Sequence, residues 1–470
     1  MESFNNLRGR KIGILGGGIT GLTSAFYLLR RGADVTVFES QSQVGGLATY
    51  FNFGKFRWDK FYHCILTSDA PLLQLIDDLE LTSELRWTET KVGFFADQAL
   101  YPMTSSLDFL RFPPLNLWQK ARLGVGVMYA SRIKEGRPLE KFLASEWLTR
   151  IFGEANYKKM WGPLLKCKLG ACREEASAAF IWATISRLYS TREKDASKKE
   201  RLGYVRGGYR TVFSRLIAEI ELMGGQIVTG TRVERVTGSG RAVEVTTSDG
   251  SFVFDDAIST VPSPVLAKIA PQLDREYVKK LLQVKYLGVV CLVLTLKGKL
   301  SPYYVTNLTD EDLPFTGIIE MTNLISDEET AGFHLVYLPK YTSPGDPLFE
   351  ASDDEIWQTF WPSLKRVFPD LSESEIENRY LFRERFVQPL PVINYSDLVP
   401  DMQTNVEGLL LANTTQIINS TLNNNEMVKI AKSAVNMLAK DRPVAEAVPL
   451  FDVGQRRSGV MATLSDCTKA

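Results

Sequence analysis

Residues Lys11 to Glu39 read KIGILGGGITGLTSAFYLLRRGADVTVFE, and the order of elements in this stretch decides the fold. Ile12 to Leu15 is an apolar run with the length of a buried parallel strand. Gly16, Gly18 and Gly21 follow at once in the spacing G-x-G-x-x-G. Ile19 to Arg31 then carries apolar residues at helical spacing (Leu22, Ala25, Phe26, Leu29) and is closed by Gly32. Gly16 permits a tight turn, Gly18 lets backbone approach a pyrophosphate, and Gly21 lets helix and strand pack closely. The helix N-terminus offers unpaired N–H groups and a positive dipole end to the phosphates. Glu39 ends a second strand, Val35 to Phe38, where a carboxylate can accept from both hydroxyls of an adenosine ribose. With all of these in register, the stretch reads as a dinucleotide-binding unit.

The whole chain bounds what such a unit can belong to. Its 470 residues exceed one ordinary core and suggest two or three domains. Fifty-five basic residues balance 55 acidic ones, so a broad nucleic-acid surface, which needs a basic excess, is not expected. Five cysteines without a C-x-x-C pair, together with only two histidines, offer no zinc or iron–sulfur ligand set. Free thiols in a reducing cytoplasm are expected. Met1 to Arg10 is short and polar, unlike a signal peptide, and no window reaches the ~20 apolar residues of a spanning helix. Residues 107–129, LDFLRFPPLNLWQKARLGVGVMY, mix Phe, Leu and Trp118 with Arg111, Lys120 and Arg122. They read either as an interfacial segment making peripheral membrane contact or as an internal helix pair broken by Pro113 and Pro114.

Two later regions repeat the α/β signal. Gly207-Gly208 leads into a helical pattern from Val212 to Met223. Strand-like runs follow at Gln226–Val228, near Val233 and Val236, at Ala242–Thr247 and at Phe252–Ser259, with hairpin-type turns between them. This small ribbon is expected to extend the first sheet. Leu409 to Leu411 reads as a core strand, and Asn423 to Asn425 as the start of a last helix. The intervening segments begin mostly helical and turn strand-rich at Tyr286–Leu296, Gly317–Leu324 and Phe333–Leu338.

These motifs, taken with the doublet Gly45-Gly46 and the segment GLLLAN, resemble the flavin amine-oxidase superfamily. That superfamily includes protoporphyrinogen oxidases, phytoene-type desaturases and, more distantly, UDP-galactopyranose mutase. Segments 56–69, 111–114 and 157–170 look most like its protoporphyrinogen-oxidase-like members. The resemblance implies FAD as cofactor and an α/β fold: a Rossmann-type FAD-binding domain in three discontinuous segments, with an α+β substrate domain. The segments are expected at 1–63, 200–269 and 401–440, the substrate domain at 64–199 and 270–400, and a loosely ordered tail at 441–470. It further implies that Val233 meets adenine through its backbone. Asn413 stands where the family usually has an acid facing the ribityl chain. The helix starting near Asn425 and Glu426 would point at the flavin or pyrophosphate. Many members have an arginine after the doublet, where this chain has Leu47, Ala48 and Thr49.

Three residues are candidates for chemistry. His63, in the cluster Phe61-Tyr62-His63, reads either as a group that exchanges protons near neutral pH or as a packed histidine. Trp161 reads either as a stacking surface for a planar substrate or as core. Glu320, inside the apolar run GIIEMTNLI, is costly to bury unless paired or working; in a strand it would share a face with Thr322, opposite Met321 and Asn323. No nucleophile–base–acid set is present, as expected where a flavin carries the reaction. The implied function is removal of hydride from a C–H or C–N bond of an apolar or amphipathic molecule, such as a porphyrinogen or isoprenoid-like lipid, with oxygen or another electron acceptor. A reduced-flavin isomerase of the UDP-galactopyranose mutase type and a non-catalytic flavin-binding protein are the alternatives.

Overall fold

Five parallel strands carry the N-terminal motif in a computed structural model that describes residues 6–193, 201–240, 242–310 and 312–440. Across the sheet they run Gln226–Val228, Asp34–Phe38 (β2), Lys11–Leu15 (β1), Asp256–Ser259 and Leu409–Leu411. Every neighbour is parallel, with Gly13 facing Thr36 on one side and Ala257 on the other. Three separated stretches of chain therefore build one sheet, with β1 at its centre. Such strands are buried on both faces, which is why Ile12–Leu15 and Leu409–Leu411 read as unbroken apolar runs. On one face lie helices Ile19–Leu29 (α1), Tyr209–Leu222 and Asn424–Lys440, packing Leu22, Phe213 and Val428 against Ile14, Val37 and Leu410. At ~1.5–3 kcal/mol per fully buried aliphatic side chain, this cluster dominates the domain's stability.

The ribbon takes a different place from the one expected of it. Gln226–Val228 and Asp256–Ser259 do join the parallel sheet, but strands Val233–Ser239, Ala242–Thr247 and Gly250–Phe254 form a separate antiparallel sheet. It covers the other face, burying Val243, Val245 and Phe254 against Leu15, Phe38 and Leu411. A Cβ on Gly13 would lie 2.8 Å from the Phe254 ring, so the glycine admits this close packing.

The rest of the chain is organised around seven strands, ordered Ile376–Pro389, Tyr286–Leu296, His334–Thr342, Ile318–Glu320, Val305–Leu308, Val92–Ala96 and Ala99–Pro102. Tyr286–Leu296 is buried at every residue. Helices between residues 106 and 193 pack beside this sheet around Trp147, Phe152 and Phe180. The early part of this region is less purely helical than its sequence suggests: Ile65–Leu66 and Leu85–Glu89 both pair with Arg201–Val205. Helix Ala70–Asp78 puts Leu72, Leu75 and Ile76 into the same cluster as α1. Residues 107–129 form two helices, Ser106–Arg111 and Leu117–Arg132, on either side of the proline pair. Among the described residues no helix is long and apolar enough to cross a membrane. The tail at 441–470 lies outside the described residues.

Candidate active site

Glycine geometry shapes the surface in front of α1. Gly16 turns the chain at φ +109°, and a Cβ on Gly21 would sit 1.9 Å from the Gly16 carbonyl oxygen, so the crossing admits only glycine. Gly18 begins α1 without any side-chain cap, which leaves its first-turn N–H groups for a ligand. The doublet meets this turn directly. Gly45 bridges Gly18 and donates its N–H to Gly17 O at 2.9 Å, and Gly45 and Gly46 have φ +124° and +56°. A Cβ on Gly46 would lie 3.3 Å from Gly18 Cα. Two glycine turns thus form one bare-backbone cradle, which fits a diphosphate because no side chain intrudes.

Glu39 stands at the rim, 8% exposed. Its Oε2 accepts from Gly17 N at 2.8 Å, while Oε1 accepts from Gln41 N at 2.8 Å and Ser40 Oγ at 3.2 Å. The carboxylate is locked toward the cradle, with lone-pair capacity left on Oε2 for a hydroxyl. Thr231 N donates to Glu39 O and Gly230 N to Gln41 O, which sets Val233 two residues from this rim.

A wall of side chains continues from the doublet toward the seven-stranded sheet. Phe213 lies against Gly45, Tyr209 against Phe213, and the His63 ring meets Tyr209 edge-on at 5.2 Å. Asp59, 2% exposed, accepts from Tyr209 N at 2.9 Å through Oδ1, while its Oδ2 lies 3.8 Å from His63 Nδ1. Burial pushes the Asp59 carboxyl up to about 8, against the pull of the Tyr209 N–H. The same desolvation lowers His63 to about 4. Both shifts favour the uncharged form of each group. Together with Trp58, Cys64 and Gly208 they line a small cavity, and His63 Nδ1 and Trp58 Nε1 have no hydrogen-bond partner there.

Nearby, the Tyr62 and Tyr341 hydroxyls are hydrogen-bonded at 2.9 Å. Leu47, Cys64 and Leu422 pack onto the same cluster, so stretches far apart in the sequence share one surface. Lys168, on helix Gly162–Leu169, is solvent-accessible, yet desolvation still lowers its ammonium pKa. Cys64 and Arg187 are among the groups that act on it electrostatically, and Arg187 itself ties Asp69 to Thr421 where the domains meet. Among the described residues the Lys168 ammonium has no hydrogen-bond or ion-pair partner. Asp59, Lys168 and the tyrosine pair were not singled out from sequence. A carboxylate four residues before His63 was the one visible hint.

Other expected site residues are placed differently. Asn413 spends its side chain within the protein: Nδ2 donates to Val261 O at 2.7 Å, and Oδ1 accepts from Thr415 N and Thr415 Oγ1. Its backbone is engaged as well, with Asn413 N donating to Gln416 Oε1 at 2.8 Å and Asn413 O accepting from Gln416 N at 3.2 Å. Asn425 Oδ1 accepts from Leu72 N at 3.1 Å, anchoring helix Ala70–Asp78. Asn423, one position before the helix starts, caps it by accepting from Glu426 N, and the Glu426 carboxylate lies 3.7 Å from Lys429. Trp161 ends a π-helical turn and packs on Phe152 at 4.9 Å, with its buried Nε1 unpartnered. Glu320 ends its strand and the chain turns into Met321–Asn323, so the expected alternation stops there. Its carboxylate accepts from Leu300 N, Ser301 N, Ser301 Oγ and Asn323 Nδ2. It is a clamp for the loop at 300–303, and its hydrogen bonds go to that loop and Asn323 rather than to His63 or Lys168.

Residues 19–416 match the family model described as flavin containing amine oxidoreductase. Coproporphyrinogen III oxidase of Bacillus subtilis is 24% identical over 296 residues, covering 55% of this chain and 61% of that enzyme. Protoporphyrinogen oxidase 2 of Arabidopsis thaliana is 33% identical over 73 residues, 16% of this chain and 14% of that one. The chain thus matches less than two thirds of the length of either relative. Among solved structures, reduced UDP-galactopyranose mutase superposes with TM-score 0.71 at 15% identity, over 91% of this chain and 95% of that one.

Proposed function

This chain belongs to the flavin containing amine oxidoreductase family, and from that membership we propose an FAD-dependent oxidoreductase acting on an amphipathic small molecule with an anionic end. The observation that carries the reading is the continuity of the glycine cradle with the wall of Asp59, His63, Tyr62, Tyr341 and Lys168. Bound in the cradle, the flavin supplies hydride acceptance from a C–H or C–N bond and passes the electrons to oxygen or another acceptor.

The chain's own groups bind and orient. Gly16, Gly18, Gly45 and Gly46 present backbone to the diphosphate while Gly21 lets α1 pack on β1, Glu39 takes the ribose hydroxyls, and the Val233 backbone meets adenine. Asn413, Asn425 and Glu426 hold the loop and helix start that close this side. His63 borders the reacting region as a neutral imidazole whose Nδ1 has no hydrogen-bond partner and lies 3.8 Å from the Asp59 carboxyl. Lys168 receives a carboxylate or phosphate of the substrate, because its exposed ammonium, close enough to Cys64 and Arg187 to feel their charges, offers an anion a partner at the edge of this wall. Apolar surface from Leu47, Leu422 and the paired tyrosines takes the rest of the molecule. A porphyrinogen or an isoprenoid-like lipid acid has this build. Trp161 and Glu320 support the wall rather than touching the substrate.

An anaerobic screen of porphyrinogens, polyprenyl lipids, amines and nucleotide sugars tests the reading. A donor that bleaches the bound flavin, with colour returning in air, is the expected result. Turnover of UDP-galactopyranose that needs prior chemical reduction, with bleaching by no donor, contradicts it in favour of a mutase.

A further inference from the structure

Among the described residues, thirteen large hydrophobic side chains are exposed, and seven of them lie between positions 107 and 129. Leu117, Trp118, Val125 and Tyr129 are 77%, 75%, 62% and 51% exposed on one helix, and Leu107 and Leu110 are more than half exposed on the short helix before it. On helix Leu117–Arg132 the positions 118, 122, 125, 129 and 132 fall on one stripe at helical spacing. The opposite stripe, Leu123, Gly126 and Ala130, is buried, and a Cβ on Gly126 would lie 2.5 Å from the Phe152 ring. The helix therefore packs through its Leu123 stripe and leaves the Trp118 stripe outward.

Hydrogen bonds hold the pair rigidly. Asn116 caps the long helix with a reciprocal bond to Gln119, and Ser105 caps the short one with Asp108. Lys120 buries its stem and donates to Leu110 O at 2.7 Å, which sets the end of the short helix beside the first turn of the long one. Arg122 donates to Ile151 O and Arg150 O, fixing one cation at the edge of the apolar stripe.

Charge decides what covers this face. From residue 106 to 134 the sequence has one acid, Asp108, which is committed to its cap, against exposed Arg111, Arg122, Arg132 and Lys134. A second copy laid on the same face would bring like charges together. An anionic bilayer surface supplies both missing partners: hydrocarbon for Leu117, Val125 and Leu110, the headgroup boundary for the amphipathic rings of Trp118 and Tyr129, and phosphates for the arginines.

We propose that the outward face of this helix pair docks peripherally on anionic lipid bilayers, with Leu117 and Trp118 inserted deepest. The test is flotation of the full chain, as flavoprotein, with vesicles of phosphatidylcholine alone or mixed with phosphatidylglycerol. Binding to the mixed vesicles is expected, weakening as salt rises. Leu117→Ser/Trp118→Ser is expected to lower the affinity about tenfold or more, and Arg111→Glu/Lys134→Glu to abolish the preference for the anionic vesicles. Flavin content and melting temperature of each variant report that the fold is kept. No flotation with either vesicle overturns the proposal, as does flotation unchanged in the Leu117/Trp118 variant. Self-association abolished by Trp118→Ser in the absence of vesicle binding overturns it in favour of a second copy.

Discussion

The cradle in front of α1 and the wall behind it do opposite kinds of work. In the cradle, backbone is the functional group: Gly16, Gly18, Gly45 and Gly46 bring two turns into contact by having no side chains, and Glu39 is locked by backbone N–H groups. In the wall, side chains are the functional groups, and burial shifts the protonation of Asp59 and His63. A cofactor common to a whole family suits a surface that depends on chain path alone. Substrate choice suits groups that differ by one substitution without disturbing that path.

The contrast is broken most severely at Gly21. Gly21→Ala puts a methyl 1.9 Å from the Gly16 carbonyl, and moving β1 and α1 apart costs about 1–3 kcal/mol of stability. Flavin content per chain is expected to fall at least tenfold, read from visible absorbance. A variant that keeps full flavin would show that the cradle is not the binding surface. Next in size is Lys168→Met: a donor bearing a carboxylate is expected to lose roughly 10–100-fold in KM with kcat little changed, since a hydrogen bond to a charged group contributes about 1.5–3 kcal/mol. Lys168→Arg is expected to recover part of the loss, and an uncharged analogue to show none. A collapse of kcat at unchanged KM would give Lys168 a different role.

Asp59 and His63 oppose each other in pH dependence. A folded-state carboxyl raised to about 8 stabilises the protein below its unfolded value and loses that contribution as pH rises toward 8. A histidine lowered to about 4 gains stability as pH rises from there to its unfolded value near 6.5. Over that lower range the two cancel, leaving a net fall of about 1–2 kcal/mol between pH 6.5 and 8. Denaturant unfolding of Asp59→Asn is expected to lose this fall and to show a rise between pH 4 and 6.5. A wild-type profile flat from 6.5 to 8 would mean that the carboxyl is ionised in the folded protein. The smallest kinetic effect belongs to Glu320→Gln, which loses about 1–3 kcal/mol of stability through the broken loop clamp while kcat/KM stays near wild type. A large drop in kcat/KM at unchanged melting temperature would return Glu320 to the active site.

The same division explains what could be read from sequence. Gly16, Gly18 and Gly21 act within six residues of one another, so their spacing carries the geometry, and β1, α1 and β2 follow from it. Strand Leu409–Leu411 was legible because burial on both faces leaves an unbroken apolar run. The ribbon's strands were legible by period two, but the pattern does not say which sheet a strand joins. Asp59 meets the helix at Tyr209 across 150 residues, and no local pattern records such a contact. Asn413 and Asn425 have the residue type a ligand contact needs, which is also the type that caps turns and anchors helices. At Glu320 the alternation continues in the letters while the backbone turns away.

The central proposal, that the glycine cradle of Gly16–Gly21 and Gly45–Gly46 holds FAD, is tested most directly by the flavin the purified protein carries. Denaturation of the wild-type chain followed by mass identification of its flavin is predicted to give FAD, at one per chain, and Gly21→Ala to give almost none. FMN, or a wild-type chain that takes up no flavin on reconstitution, would contradict the account.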